Sequence, residues 1–424
     1  MNHKEIIDLL KAEMLPAMGC TEPGAAALAG AKAAELFGDG PIEEILVFAS
    51  RDMIKNAMDV GLPGCSLKGI ISAALLGVCK KDSSRGLSTL SDISPEEVEK
   101  VSSMNARLEL VDNVPSLYVS VRIEGPENHY SLATISLQHD VFSRLEVDGN
   151  VLENRENLFS EKTKEQQNVL DSLTLEKIVK FADTVNVDDV SFIDGAIRIN
   201  SSIAEHAIDN NYGLQVGKTS LEALHSKPES LSEAYMVASS YAAAGSDARM
   251  SGCTMPVIIN SGSGNQGITV TVPVSIVADC LGVTREKKIR AVCISELVGL
   301  MLTARKSRLS ALCGAFTASI GTACAYVYLQ GGSVDVMNDA INPRVGNLTG
   351  IICDGAKNTC ALKIYTSLET AGLSVKLALK GLSPKNGSGI VGDDSTQSIS
   401  SLSRIATEGM TQTDKTILSI MMGK

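Results

Sequence analysis

The run SLYVSVRIEG (Ser116–Gly125), followed by YSLATISLQ (Tyr130–Gln138) and FSRLEVDGNVL (Phe142–Leu152), decides the fold class. Apolar and polar residues alternate along each run, the period of a strand with one face buried. ARLELV (Ala106–Val111) repeats the pattern upstream, and Gly125-Pro126 and Asp148-Gly149 are turn signals. A small antiparallel sheet between Ala106 and Leu152 is therefore expected. Before it, the chain reads as helix to about Lys81, apart from the strand-like ILVFAS at Ile45–Ser50; the Ala-rich PGAAALAGAKAAELFG stops at Gly38, as a helix should. After it comes a charged connector, NRENLFSEKTKEQQN, and from about Leu170 the chain is again largely helical, broken by Gly-rich loops. The fold class is α+β, predominantly α-helical. A mixed region over residues 1–165 precedes a mainly helical domain over 166–424.

A length of 424 residues favours two domains over one. With aromatics at 4% and no Trp, the core must rest on Ala, Leu, Ile, Val and Met, which suits close helix contacts. The net charge of -11, with no basic run, argues against nucleic acid as a partner. Met250–Ala278 and Leu309–Val334 are uncharged and long enough to span a bilayer. The first holds Pro256, Asn260, Gln266 and Pro273 and the second is rich in Gly, Ser, Thr and Cys, so both read as buried protein and no membrane is expected. MNHKEIIDLLKAEM is an amphipathic helix pattern without the apolar centre of a signal peptide, and a cytoplasmic location is expected.

Disulfides are disfavoured in that compartment, so the 10 Cys divide among core residues, metal ligands and catalysts. Cys313 and Cys324, eleven apart, would lie about 16 Å from each other on one helix, so only one can serve a given metal group. Gly314 lets the backbone beside Cys313 approach a bulky group, and Cys324 reads as core. Cys353 and Cys360 would be about 10 Å apart on a continuous helix. Asp354-Gly355 is a turn signal, however, with Asp354 a candidate N-cap, so a loop Cys353 and an early-helix Cys360 can face one point. Zinc is the second metal candidate, although no tetrahedral Cys/His set presents itself. Cys20, in GCTEPGAAALAG, precedes a helix with Thr21 as a candidate N-cap and Pro23 in the first turn, a place that lowers a thiol pKa.

SGCTMPVIINSGSGNQGITVTV (Ser251–Val272) is a Gly-rich loop offering free amides and short polar side chains to a carboxylate or phosphate. Ser261, Ser263, Gly264, Asn265 and Gln266 are its candidate substrate-binding residues, joined by Thr21 and Glu22. The loop also resembles the asparagine loop of pyridoxal-phosphate dehydratases, which requires a Schiff-base lysine upstream. Lys227 in HSKPES is the nearest, in an unsuitable Pro-flanked setting. His139 ends a strand among polar residues and is a candidate general base or an edge-strand histidine; His206 reads as a helix-face residue.

Four stretches in order, GCTEPGAAALA, ARMSGCTMPVIINSGSGNQGI, CGAFTASIGTACA and GIICDGAKNTCALK, resemble the L-serine dehydratase alpha-chain-like family over nearly the whole chain. The closer likeness is to its branch of L-cysteine desulfidases and uncharacterised members. The resemblance implies a [4Fe–4S] cluster held by Cys313, Cys353 and Cys360, with one iron open to substrate. It implies for Cys20 a displaceable fourth ligand or a proton-transfer group. The family has a His-Thr pair in its β region where this chain has His139 and Asp140. Several serine dehydratases end on a ligating Cys, whereas this chain ends SIMMGK. The implied reaction is β-elimination from L-cysteine to pyruvate, sulfide and ammonia. L-serine dehydration and a non-catalytic amino-acid-binding role are the alternatives. The expected partner is a small amino-acid substrate, and a homodimer is compatible with it.

Overall fold

The computed structural model describes residues 2–155, 166–222, 224, 228–306 and 310–423. Lys227, most of the charged connector and the expected boundary at 165 lie outside the described residues.

The first half runs α1 (His3–Glu13), β1 (Pro16–Met18), α2 (Thr21–Phe37), β2 (Glu44–Ala49), α3 (Arg51–Ala57), α4 (Gly69–Lys80) and α5 (Pro95–Ser103). The strands β3 (Ala106–Leu110), β4 (Tyr118–Glu124), β5 (Tyr130–Ser136), β6 (Phe142–Val147) and β7 (Asn150–Asn154) follow. Six strands form one sheet in the order β3-β2-β4-β5-β6-β7. The expected all-antiparallel pattern needs one correction: β2 and β3 pair in parallel, because the helices between them carry the chain back across the sheet. Asp148 and Gly149, with φ of 51° and 79°, make the tight β6–β7 turn.

Helices α2 and α4 cover this sheet and cross each other closely. A Cβ on Gly30 would lie 2.2 Å from the Ala74 carbonyl oxygen, and one on Gly77 would lie 1.9 Å from that of Ala27. The Ala-rich composition therefore serves backbone approach, as the near absence of aromatics suggested.

The remainder is α6 (Leu175–Thr184), α7 (Phe192–Asp209), α8 (Val216–Leu221), α9 (Leu231–Met250), β8 (Pro256–Ile258), α10 (Gly264–Cys280), α11 (Arg285–Lys306) and α12 (Gly314–Leu329). It ends with α13 (Val334–Leu348), α14 (Thr359–Ala378), α15 (Ser395–Arg404) and α16 (Thr411–Met422). The fold is α+β and predominantly helical. The uncharged run from Met250 becomes a turn, β8, a second turn and α10, while that from Leu309 centres on α12, buried on nearly all sides. Among the described residues no helix is long and apolar enough to cross a membrane.

Two hydrophobic cores result, and they do not divide at one point of the chain. The sheet core runs from Ala25 to Leu145 and adds Leu418 of α16. The helical core takes in Ile6–Ala17 as well as residues from Leu170 to Ile417. β1 pairs antiparallel with β8, Ala17 opposite Val257, so the chain enters α2 beside the Gly-rich loop. A small apolar cluster of Cys20, Val60 and Met250, with Ala356 and Cys360, lies at the seam.

Candidate functional site

Four helices begin around one cavity at this seam. Cys20 is the N-cap of α2, Ser263 of α10 and Cys313 of α12, and Cys360 lies in the first turn of α14. All four line the cavity with Glu22, Asn56, Arg249, Asn265, Gln266, Lys306 and Cys353. Each helix start presents unpaired amides and about half a positive charge, so together they favour an anionic occupant. The cavity measures about 90 Å³. One water needs about 10–15 Å³ by the same measure, so a small ligand fits.

The three cysteines reach it from separate segments. Leu312 and Ile352 form an antiparallel bridge, flanked by hydrogen bonds from the Cys313 amide to the Ile351 carbonyl (3.0 Å) and from the Cys353 amide to that of Ala311 (2.6 Å). This puts Cys313 and Cys353 side by side. Gly355 then turns the chain at φ 97°, where a Cβ would lie 2.1 Å from the Lys55 carbonyl oxygen, and Cys360 follows on α14. Asp354 is not the helix cap expected of it. Asn358 holds that position, and Asp354 pairs with Lys363 and Lys357 because both ammonium groups lie over the turn. Cys324 is fully buried in α12, away from the cavity, as its spacing required.

Burial and the charge of Cys353 push the Cys313 thiol up, and the same two causes raise Cys360 to about 12. Three thiolates so placed repel one another unless a cation stands among them. Lys55, Lys306 and Lys363 supply part of that charge, and each feels at least one of the three sulfurs. Burial outweighs these anions at Lys306 and lowers its pKa, whereas at Lys55 and Lys363 the anions prevail and raise it. Among the described residues no three His, Cys, Asp or Glu side chains have the close arrangement that holds a single metal ion. The thiols of Cys313, Cys353 and Cys360 nevertheless line one and the same cavity.

The opposite wall is a thiol–carboxylate pair. The Cys20 thiol donates to Glu22 Oε2 at 2.8 Å, and the Asn56 amide donates to Glu22 Oε1 at 3.1 Å. Cys20 itself is the N-cap, and Thr21 is not: its hydroxyl donates across to the Gly262 carbonyl at 2.7 Å, tying α2 to the Gly-rich loop. The expected lowering of the Cys20 pKa does not occur. Burial and the Glu22 carboxylate raise it well above the ordinary value, so the thiol is protonated at neutral pH. Burial pushes Glu22 up, but His139, Cys20 and Arg249 together bring its carboxyl below 4.5. Glu22 is the ionised group here.

His139 is buried in the turn between β5 and β6, not at a strand end, and does not line the cavity; its influence passes through Glu22. Of the loop residues, Ser263, Asn265 and Gln266 face the cavity. Ser261 and Gly262, with φ of 53° and 79°, form the turn, and Ser261 lines a separate recess with Leu137 and Arg305. Gly264 is the close-approach position, where a Cβ would lie 2.3 Å from Arg249 Nε. His206 lies on α7, hydrogen-bonded to Tyr212.

A model of the family described as serine dehydratase alpha chain matches residues 84–419. The chain belongs to that family. It is also similar, at 38% identity over 99% of its length, to a "UPF0597 protein" of Bacteroides thetaiotaomicron, of which the match covers 98%. A second "UPF0597 protein", of Lachnoclostridium phytofermentans, is 38% identical over 99% of this chain and 100% of its own. Another, of Photobacterium profundum, is 37% identical over 99% of this chain and 98% of its own.

Arg249, Asn56, Lys55 and Lys306 escaped the sequence reading. Arg249 carried a signal: with Asp247 it is the only charge between Glu233 and Asp279, and it is 3% exposed. Its Nε, Asn56 Oδ1 and Asn265 Oδ1 are buried without a hydrogen-bond partner among the described residues. Three unmet polar atoms around one cavity indicate a polar ligand.

Proposed function

We propose that the chain is an iron–sulfur-dependent lyase that removes the β-substituent of a small L-amino acid, L-cysteine first. The observation that carries this reading is the meeting of three thiols from separate segments, Cys313, Cys353 and Cys360, with the protonated Cys20 and ionised Glu22 across one cavity. Three soft donors, nearby ammonium groups and helix starts fit a [4Fe–4S] group. Bound there, such a cluster supplies an open iron corner that acts as a Lewis acid on the substrate.

The chain supplies the rest. Arg249, the Ser263 hydroxyl and the amides at the start of α10 bind the substrate carboxylate. The Oδ1 atoms of Asn56 and Asn265 accept from the substrate's ammonium group. Glu22 takes the α-proton, held ionised by His139 and Arg249. Cys20, hydrogen-bonded to Glu22, gives its thiol proton to the departing sulfide and regains one from Glu22. The aminoacrylate released takes up water to give pyruvate and ammonia. A soft leaving group suits iron, which favours cysteine. L-serine, losing water, is the second reading and is favoured by the family's description.

Anaerobic reconstitution with iron and sulfide, followed by pyruvate assays on both amino acids without pyridoxal phosphate, tests the reading. Activity only after pyridoxal phosphate is added, or with zinc alone, would overturn it. Tight amino-acid binding without product would mark a non-catalytic member.

A further inference from the structure

The C-terminal helix reaches the outer wall of the site through one carboxylate. Asp414, in the first turn of α16, pairs through Oδ1 with the ammonium group of Lys55 and accepts the Ala311 amide on Oδ2 at 2.9 Å. Both partners belong to the support of the cavity. Ala311 lies two residues before Cys313, and its carbonyl accepts the Cys353 amide. Lys55 is 1% exposed, and its carbonyl lies against Gly355. The next residue, Asn56, accepts the Ala356 amide on its own carbonyl at 3.1 Å and donates its side-chain amide to Glu22. One carboxylate thus ties the segment carrying Cys313 to the helix that braces both the Cys353–Cys360 turn and Glu22. Asp414 does not line the cavity, so its effect passes through these groups.

We propose that Asp414 is a positioning residue that holds Lys55 and the Ala311–Cys313 segment against the three-cysteine wall, making the C-terminal helix part of the site. Its part in holding a cluster rests on the function proposed above; its part in fixing the backbone does not. Ionic pairing with Lys55 and acceptance of the Ala311 amide are separable by substitution. Asp414→Asn keeps an acceptor for the amide and removes the charge, whereas Asp414→Ala removes both.

Hydrogen–deuterium exchange of the full, metal-free chain reads the backbone role. Asp414→Ala is expected to raise exchange in peptides holding Ala311 and Cys353 by at least about tenfold, with the interior of α12 unchanged. Asp414→Asn should leave Ala311 protected. In the reconstituted chain, loss of visible cluster absorption to a ferrous chelator should be about tenfold faster in Asp414→Asn and in Lys55→Met, and no faster in the double variant. Parental exchange in Asp414→Ala, an increase spread through α12, parental cluster lifetime in Asp414→Asn, or additive losses in the double variant would each overturn the proposal. A parental chain that takes up no cluster sinks the proposed function instead, and the exchange result still decides the backbone role.

Discussion

The two walls of the cavity use one residue type for opposite ends. On the helical side, Cys313, Cys353 and Cys360 stand near Lys55, Lys306 and Lys363. On the sheet side, Cys20 stands at a helix start just as Cys313 does, but its partner is the Glu22 carboxylate. Burial raises the thiols of both walls in spite of the helix starts, and what differs between them is the neighbouring charge, lysines on one side and Glu22 on the other. Thiols facing cations can give up protons to a metal. A thiol facing a carboxylate keeps its proton and can donate it.

The largest effect that tests this division is on iron content. Replacing Cys313, Cys353 or Cys360 by Ala should abolish cluster absorption, while Cys20→Ser and Cys324→Ala should retain it. Equal loss in Cys20→Ser would erase the distinction between the walls. Next comes Glu22→Gln, which keeps shape and iron but removes the base. Turnover should fall by about 10²–10⁴-fold at parental iron content. Arg249→Lys should act more mildly, raising KM by about tenfold or more with kcat less affected, because Lys cannot bind a carboxylate bidentately. A purely kcat effect would remove Arg249 from carboxylate binding.

The smallest effect concerns the helical core beneath the Gly-rich turn. Glu296 is fully buried against Asn260, which opens the Gly-rich turn, and burial raises its carboxyl to about 8. Its folded pKa exceeds the ordinary glutamate value of 4.5, so above that pH the folded state holds a proton that the unfolded chain has released. That stability is complete below about 4.5 and is lost as pH rises toward 8. Asp247, raised to about 6, contributes the same way only at lower pH. Between pH 6 and 8 the parental chain should lose stability by up to about 1.4 kcal/mol per pH unit from Glu296, and Glu296→Gln should flatten the slope in denaturant unfolding. A parallel slope in the variant would assign the dependence elsewhere.

The sheet was legible because period-two alternation survives in β4, β5 and β6, where one face is buried. The parallel β2–β3 pair was not, since strand direction depends on how three intervening helices return the chain. The convergence of Cys353 and Cys360 was readable from the Asp354-Gly355 turn, but the wrong residue was given the cap, because Asp354 answers to Lys363, nine positions on. Arg249 and Lys55 were hidden for a different reason. A lone basic residue in a helix reads as surface, and only the tertiary meeting of α9 and α3 with the cavity gives these two a ligand-facing or bracing place. Ser261 shows the converse: it sits in the loop as expected, yet its left-handed backbone turns it toward the neighbouring recess.

The central claim is that three separate sulfurs hold one multi-iron group with a corner left for substrate. Mössbauer spectroscopy of the anaerobically reconstituted chain, with and without L-cysteine, tests it most directly. One [4Fe–4S] cluster per chain, with about a quarter of the iron signal shifting when the amino acid is added, is the predicted result. A spectrum of isolated iron ions, or a cluster whose signal does not respond to the amino acid, would contradict it.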